Sequence, residues 1–119
     1  MLPILKYNGS VIAKRIEFAR TILSKTLGLM FRKDIPTDCA MIFVFEKPSS
    51  VGIHMLFMRF PIDVLFLNEE KKIAGLFRLN PWTGYKAMKG IRYVIEMNEG
   101  SIEKHRLAIG GQMEFEDLR

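Results

Sequence analysis

One stretch of the chain, residues 53–67, is almost wholly apolar and yet carries three polar side chains, those of His54, Arg59 and Asp63. The stretch is too short to cross a bilayer and its charges interrupt it, so we expect it to be buried inside a folded domain. A polar group in such surroundings must find a hydrogen-bonding partner or mark a site, because its burial alone is costly.

The composition is typical of one globular domain. The chain has 119 residues, 49% of them hydrophobic and 26% charged, which is enough to bury a core. A single domain over residues 1–119 is expected. The lone Cys39 can form no internal disulfide and cannot by itself hold a structural zinc ion, which favours a reducing, cytoplasmic location. The first residues lack the features of a secretory signal, and no membrane anchor is expected.

Short runs of strand-forming residues, separated by turn signals, predict a mainly β fold. The Asn8-Gly9 pair between residues 4–7 and 11–18 indicates a hairpin. Apolar spacing over residues 21–30 predicts a short helix, and Ser101 is predicted to cap a helical turn. Further strands are predicted at 41–45, 51–58, 62–67, 72–79, 92–97 and 112–115, with turns at Pro48-Ser49-Ser50 and Asn68-Glu69-Glu70. The predicted fold is a compact jelly-roll-like barrel or sandwich with one or two short helices.

Four separated blocks of the sequence resemble a known family. They are Gly28-Leu29-Met30-Phe31-Arg32, Met41-Ile42-Phe43-Val44-Phe45, His54-Met55 and Pro61-Ile62-Asp63-Val64-Leu65-Phe66. In order and spacing these blocks resemble the domain-of-unknown-function 192 family of small bacterial and archaeal proteins. The resemblance implies a β-rich, jelly-roll-like or barrel-like domain and no established activity.

The chain also departs from that family's pattern. The family commonly has Trp-Met followed by Lys-Asn-Thr, where this chain has His54-Met55 followed by Leu56-Phe57-Met58. His54 in place of tryptophan resembles the shorter, archaeal style of the family. A single glutamine, Gln112, beside many charged residues indicates a thermophilic source.

Asp63 is the polar residue of the apolar stretch that most needs a partner. It shares a strand face with Leu65 and Leu67, so we expect its carboxylate to be at least partly buried. Arg32 is the expected partner, in a bidentate pair that holds the predicted helix against the sheet. The alternative is that Arg32 and Asp63 line a pocket and recognise a polar ligand.

The second candidate site is a loop that contains Trp82 and Tyr85, flanked by Pro81 and Gly84. Aromatic residues on loops commonly form binding surfaces, although Trp82 could instead cover the edge of the core. The leading hypothesis is a non-catalytic domain that binds a small molecule or a protein partner near Trp82. The candidate ligand-binding residues are Arg32, His54, Asp63, Trp82 and Tyr85.

Single-stranded nucleic-acid binding is the alternative from another class. The net charge of +5 favours encounter with polyanions. Such binding would require Lys86, Lys89 and Arg92 to lie on one continuous face with Trp82 and Tyr85. No aromatic and glycine motif of an RNA-binding module accompanies these residues.

Catalysis and metal binding have little sequence support. Cys39 with His105, or one of the serines with His54, could supply a nucleophile and a base, but no local signature accompanies either pair. His54 and Met58 are residue types that hold cuprous copper, whereas core packing is the commoner role of methionine. We therefore predict no catalytic residue, no metal site and no cofactor.

Overall fold

Two β-sheets make up most of the protein. The computed structural model describes residues 4–19 and 34–116. Its strands are β1 (Leu5–Tyr7), β2 (Ser10–Ala13), β3 (Arg15–Ala19), β4 (Cys39–His54), β5 (Ile62–Leu67), β6 (Ile73–Leu79), β7 (Tyr85–Asn98) and β8 (Met113–Glu114). A single-turn helix, α1 (Ser101–Lys104), follows β7. The smaller sheet has the strand order β2-β1-β8, and the larger sheet has the order β3-β4-β7-β5-β6.

The smaller sheet covers one face of the larger sheet. A first core cluster joins Leu5 and Met113 of the smaller sheet to Leu65, Ile95 and other residues of the larger one. The mainly β prediction is confirmed, and the described residues form a sandwich-like pair of sheets rather than a closed barrel. Within the described ranges, no helix is long and apolar enough to cross a membrane.

The opposite face of the larger sheet is covered in part by the sheet itself. Strands β4 and β7 have 16 and 14 residues and pair along most of their length. Their pairing shifts register between Val44 and Val51. Beyond this bend, a Cβ atom at Gly75 of β6 would collide with the sulfur of Met88 of β7. The far half of the β4–β7 ribbon therefore folds back over β6 and encloses a second core cluster.

Several local predictions are confirmed and others are wrong. Strands 62–67 and 73–79 form the expected antiparallel hairpin. The turn predicted at Pro48-Ser49-Ser50 is wrong, because β4 continues through these residues. Strand β3 pairs only with the first five residues of β4, so the missing N–H of Pro48 interrupts few of the hydrogen bonds between strands. The strand predicted at 51–58 ends at His54, where a turn begins and Met58 N–H donates to the Met55 carbonyl at 3.2 Å.

The chain also changes sheets where one strand was expected. The run at 11–18 is divided at Lys14, so that β2 stays in the N-terminal hairpin while β3 joins the larger sheet, parallel to β4. The helix predicted at 21–30 lies outside the described residues. Ser101 does not cap α1; Gly100 is the N-cap residue, and the Ser101 hydroxyl donates to the Asn98 carbonyl oxygen at 2.7 Å.

Candidate functional site

Asp63 is fully buried, and its carboxylate is held by four hydrogen bonds. Arg78, directly opposite on β6, donates from Nε to Oδ1 at 2.7 Å and from Nη2 to Oδ2 at 3.2 Å. The main-chain N–H groups of Gly100 and Ile102 donate to Oδ2 at 3.1 and 2.9 Å. The carboxylate therefore joins the β5–β6 hairpin to the start of α1.

The guanidinium of Arg78 is shared between two acids. Its hydrogen bond with Asp63, and a second one with Glu103 of α1, raise the pKa of Arg78 above its ordinary value. The predicted partner of Asp63, Arg32, lies outside the described residues. With four donors already around its two oxygens, Asp63 has little acceptor capacity left for a ligand. This geometry is that of a structural carboxylate.

Three apolar side chains project from two neighbouring turns and form what we call the aromatic surface: Leu56, Phe57 and Trp82. They are 46%, 43% and 55% exposed. The rings of Phe57 and Trp82 meet edge to face, with their centroids 5.1 Å apart. A pair of this kind usually contributes to a core or an interface. Here the two rings lie together at the protein surface.

Main-chain hydrogen bonds at Met55 fix the two turns relative to each other. The N–H of Trp82 donates to the Met55 carbonyl oxygen at 2.8 Å, and the N–H of Met55 donates to the Gly84 carbonyl oxygen at 3.1 Å. The side chain of Met55 is fully buried beneath them. The aromatic surface is therefore held in place by hydrogen bonds to a core residue, and it does not lie on a loosely attached loop.

The backbone at both aromatic residues adopts a conformation that bulky side chains rarely adopt. Phe57 has a φ of 63° and Trp82 a φ of 66°, both in the left-handed region. Each such residue costs about 1–2 kcal/mol relative to the right-handed conformation. Backbone strain of this kind is concentrated at functional sites. Two strained aromatic residues in mutual contact are therefore the strongest local sign of function in the described chain.

His54 and Tyr85 lie next to the aromatic surface, but their contacts do not define a binding site. They are opposite each other at the end of the β4–β7 ribbon. The His54 side chain is exposed, and its Nδ1 accepts a hydrogen bond from the Leu56 N–H at 3.2 Å. Tyr85, predicted to lie in a loop, is instead the first residue of β7, and its ring lies against Gly52. Its side chain is 63% exposed.

Glu96 is a buried acid that was not predicted from the sequence. It is 5% exposed, and burial raises its pKa from 4.5 to about 8. No hydrogen bond or ion pair to its carboxyl group occurs within the described residues. The signal was available, because Glu96 interrupts the apolar run Tyr93-Val94-Ile95 just as Asp63 interrupts its own run.

The whole described fold matches one protein family. Residues 4–115 match the DUF192 family, whose description is "Uncharacterized ACR". The chain belongs to this family. A UPF0127 protein from Pyrococcus furiosus is 36% identical to it over 97% of each chain. A UPF0127 protein from Thermococcus sibiricus is 32% identical over 93% of this chain and 72% of that protein. The expected family is thus confirmed, with relatives in thermophilic archaea.

Two solved structures have the same fold as this protein of the DUF192 family. One, from Sinorhizobium meliloti and described as a candidate transcription regulator, has a TM-score of 0.82 and 22% identity over 95% of this chain and 92% of that chain. The other, a protein of unknown function from Novosphingobium aromaticivorans, has a TM-score of 0.80 and 22% identity, covering 94% of this chain and 83% of that chain. At this identity the likeness concerns the fold alone.

The basic residues of this DUF192 chain do not meet the geometric condition for the nucleic-acid alternative. Lys86 follows Tyr85 in β7 and so points to the opposite face, where its Nζ lies 4.5 Å from the Phe77 ring centroid. Arg92 donates to the Phe45 carbonyl oxygen. Lys86 and Arg92 are thus engaged in intramolecular contacts, and the continuous basic face is not formed.

Three residues named in the nucleophile hypotheses have their local contacts defined in the described part of the chain. Ser49 and Ser101 donate to main-chain oxygens, and His105 Nε2 is buried without a hydrogen-bond partner. Burial and the neighbouring charge of Lys104 lower the pKa of His105. Residues 4–19 and 34–116 hold no group of three or more His, Cys, Asp or Glu side chains that could bind a metal ion.

Proposed function

We propose that this protein is a non-catalytic binding domain, and that the aromatic surface of Leu56, Phe57 and Trp82 recognises another protein. The observation that carries the proposal is the contact between Phe57 and Trp82, both exposed and both in the left-handed backbone region. A fold under no functional demand would replace such residues with glycine or asparagine, which adopt this conformation at little cost.

A protein partner suits this surface better than a small molecule. The three side chains are roughly half exposed on projecting turns, whereas small-molecule sites enclose most of their ligand. Tryptophan and other aromatic residues are enriched among the residues that dominate protein–protein binding energies. The net charge of +5 favours a partner segment that combines apolar and acidic residues. We place this interaction in the cytoplasm, where the free thiol of Cys39 stays reduced.

Site-specific photocrosslinking in cells tests this proposal. A photoreactive residue replaces Leu56 in one variant and Ile109, which is 63% exposed elsewhere on the surface, in a control variant. We expect a discrete crosslinked partner from position 56 and none of the same mass from position 109. Adding Trp82→Ala to the first variant should abolish the crosslink. Equal crosslinking from both positions, or no effect of Trp82→Ala, would contradict the proposal.

The identified partner can then be titrated against the purified protein. Trp82 is the single tryptophan of the chain, so its intrinsic fluorescence reports directly on the proposed surface. Binding should shift the emission to shorter wavelength as the indole leaves water. A partner that binds without changing this emission would be using another surface.

A further inference from the structure

The far half of the β4–β7 ribbon has an inner face, which packs against β6, and an outer face, which is exposed. Met88 marks the inner face, because its sulfur lies against Gly75 of β6. Side chains alternate along a strand and directly opposite residues share a face, so the register assigns the neighbours of Met88 to the outer face. We call this outer face the ribbon face. Its six residues are all exposed: Ser50, Gly52 and His54 of β4, and Tyr85, Ala87 and Lys89 of β7.

The middle of the ribbon face is flat. Ser50, Gly52 and Ala87 have small side chains or none. The Tyr85 ring lies across β4 at Gly52, where a Cβ atom would be 2.6 Å from the Tyr85 hydroxyl oxygen. Glycine within a strand often marks a place where other groups approach the backbone closely. An extended chain can therefore lie along the ribbon face without meeting a large projecting side chain.

The ribbon face leads directly to the aromatic surface. Strand β4 ends at His54, two residues before Leu56, and β7 begins at Tyr85, three residues after Trp82. Lys89 lies at the other end of the ribbon face, and four steps of strand at about 3.3 Å each place it about 13 Å from Tyr85. The two surfaces together form one strip, which is apolar at one end and cationic at the other.

The polar side chains of this strip are hydrogen-bond donors. Nδ1 of His54 accepts a hydrogen bond from the Leu56 N–H, so the neutral ring carries its proton on Nε2 and donates from there. Lys89 has three donors and no acceptor, and the hydroxyl groups of Ser50 and Tyr85 can donate as well. A complementary partner therefore supplies acceptors.

The charges around the strip have one sign. Residues 47–62 and 80–95 contain the far halves of both strands and both turns, and every charged residue in these ranges is lysine or arginine. Of the acids that flank these ranges, Asp63 and Glu96 are buried and Glu46 is exposed at the bend of the ribbon. The strip therefore favours a partner with negative charge.

We propose that the aromatic surface and the ribbon face together bind one extended, acidic segment of a partner protein. This inference rests on the proposed function, because the aromatic surface holds the apolar anchor of the segment. Carboxylates of the segment accept hydrogen bonds from His54 and Lys89, and Arg59, exposed two residues after Phe57, adds a cation near the anchor. The length of the strip corresponds to about four to six residues of extended chain between the anchor and the carboxylate at Lys89.

A nucleic acid or a membrane surface suits the strip less well. Lys86 and Arg92 of β7 contact Phe77 and Phe45, which leaves few cations for a phosphate backbone. A membrane surface would take up the apolar end of the strip, but it would leave the flat ribbon face without a role.

Selection from a phage-displayed library of random peptides tests the proposal without assuming a sequence. The intact protein is the bait, and Trp82→Ala is the counter-bait that removes peptides which do not need the aromatic surface. We expect selected peptides to carry a large apolar residue and an Asp or Glu about four to six positions away. Trp82-dependent peptides with no preference for acids would overturn this inference and leave the proposed function standing. The absence of any Trp82-dependent peptide would contradict both.

Charge reversal locates the acidic part of the segment. Lys89→Glu changes the ribbon face, and Lys72→Glu makes the same change of net charge at an exposed residue that bridges to Gln112. A selected peptide, labelled with fluorescein and followed by anisotropy, should bind about tenfold more weakly to Lys89→Glu and within about twofold of wild type to Lys72→Glu. Selection on Lys89→Glu should replace the acid with Lys or Arg at the same spacing. Equal effects of the two variants would overturn the placement of the segment on the ribbon face.

Cosedimentation with phosphatidylglycerol vesicles tests the membrane alternative. We expect the protein to stay in the supernatant at a salt concentration that preserves peptide binding. Sedimentation with the vesicles that Trp82→Ala abolishes, in a protein that selects no Trp82-dependent peptide, would assign the strip to a membrane surface and overturn the inference.

Discussion

Arg78 donates from Nε to Oδ1 of Asp63 at 2.7 Å, across two neighbouring strands whose register places these residues directly opposite each other. The same carboxylate accepts main-chain hydrogen bonds from Gly100 and Ile102. One buried acid thus connects the β5–β6 hairpin to the turn that begins α1. The pair is a cross-strand contact reinforced by a third segment of chain.

The first prediction concerns this pair. Arg78→Ala leaves Asp63 buried without a counter-charge, and we expect the free energy of unfolding to fall by about 3 kcal/mol. Glu103→Gln is the matched control, because Glu103 contacts the same guanidinium but is 65% exposed. That control should cost less than about 1 kcal/mol. Urea denaturation of the two variants measures both changes. Equal decreases in the free energy of unfolding for the two variants would show that the burial of Asp63 does not determine the effect of Arg78→Ala.

The two residues of this pair lie on a hairpin that the sequence predicts, although the pair itself was not predicted. A hairpin of strands 62–67 and 72–79 was predicted, and the register of the observed hairpin sets Asp63 opposite Arg78. The expected partner was Arg32, chosen from a sequence block that resembles the family, and Arg32 lies outside the described residues. A charge buried in a hairpin should first be matched with the residue across the turn.

The second prediction concerns the pH dependence of stability. Burial raises the pKa of Glu96 from 4.5 to about 8, so between these values the folded state keeps a proton that the unfolded state loses. The free energy of unfolding should therefore fall by up to about 1.4 kcal/mol per pH unit as pH rises through this window. Glu96→Gln should remove this slope. Urea titrations at pH 5, 6, 7 and 8 measure it for both proteins.

The pH dependence of the free energy of unfolding must be compared between wild type and Glu96→Gln, because His105 makes the protein more stable, not less, as pH rises. Burial lowers the pKa of His105, so its contribution to stability is present above 6.5 and is lost as pH falls. Both proteins contain His105, and subtraction cancels its effect. Parallel pH profiles for the two proteins would show that Glu96 is ionised in the folded state at neutral pH.

The path of β4 could not be read from its local sequence. Pro48-Ser49-Ser50 has the composition of a turn, yet the strand continues because β7 pairs on both sides of the interruption and the register shift absorbs it. The consequence is large, since the continuous ribbon brings the end of β4 to the loop of Trp82. The aromatic surface therefore depends on long-range pairing, and only Trp82 of its three members was singled out from sequence.

The third prediction concerns the contact that supports this loop. A Cβ atom at Gly84 would lie 2.8 Å from the Asn80 carbonyl oxygen and 2.9 Å from Met55 Cγ. Gly84→Ala should therefore displace the loop and lower the free energy of unfolding by about 1–3 kcal/mol. The fluorescence emission of Trp82 should change with it. Gly9→Ala is a useful control, because open space surrounds Gly9 although its φ of 88° still imposes backbone strain. An unchanged Trp82 emission in Gly84→Ala would contradict the prediction.

The fourth prediction tests the backbone strain at the aromatic surface. Trp82 has a φ of 66°, a conformation that glycine adopts freely and alanine does not. Trp82→Gly and Trp82→Ala lose the same ring contacts, so the difference between them isolates the backbone. We expect the glycine variant to be more stable than the alanine variant by about 1 kcal/mol, measured by urea denaturation.

The same pair of substitutions at Ile109 supplies the control for that comparison. Ile109 is 63% exposed and is not among the residues with positive φ. There, glycine should be the less stable substitution, because it gains more freedom in the unfolded chain. Opposite signs at the two positions would mean that the fold holds Trp82 in a strained conformation at a cost in stability. That cost is what a binding surface retained for its partner would carry, and the same sign at both positions would remove the main support for the proposed function.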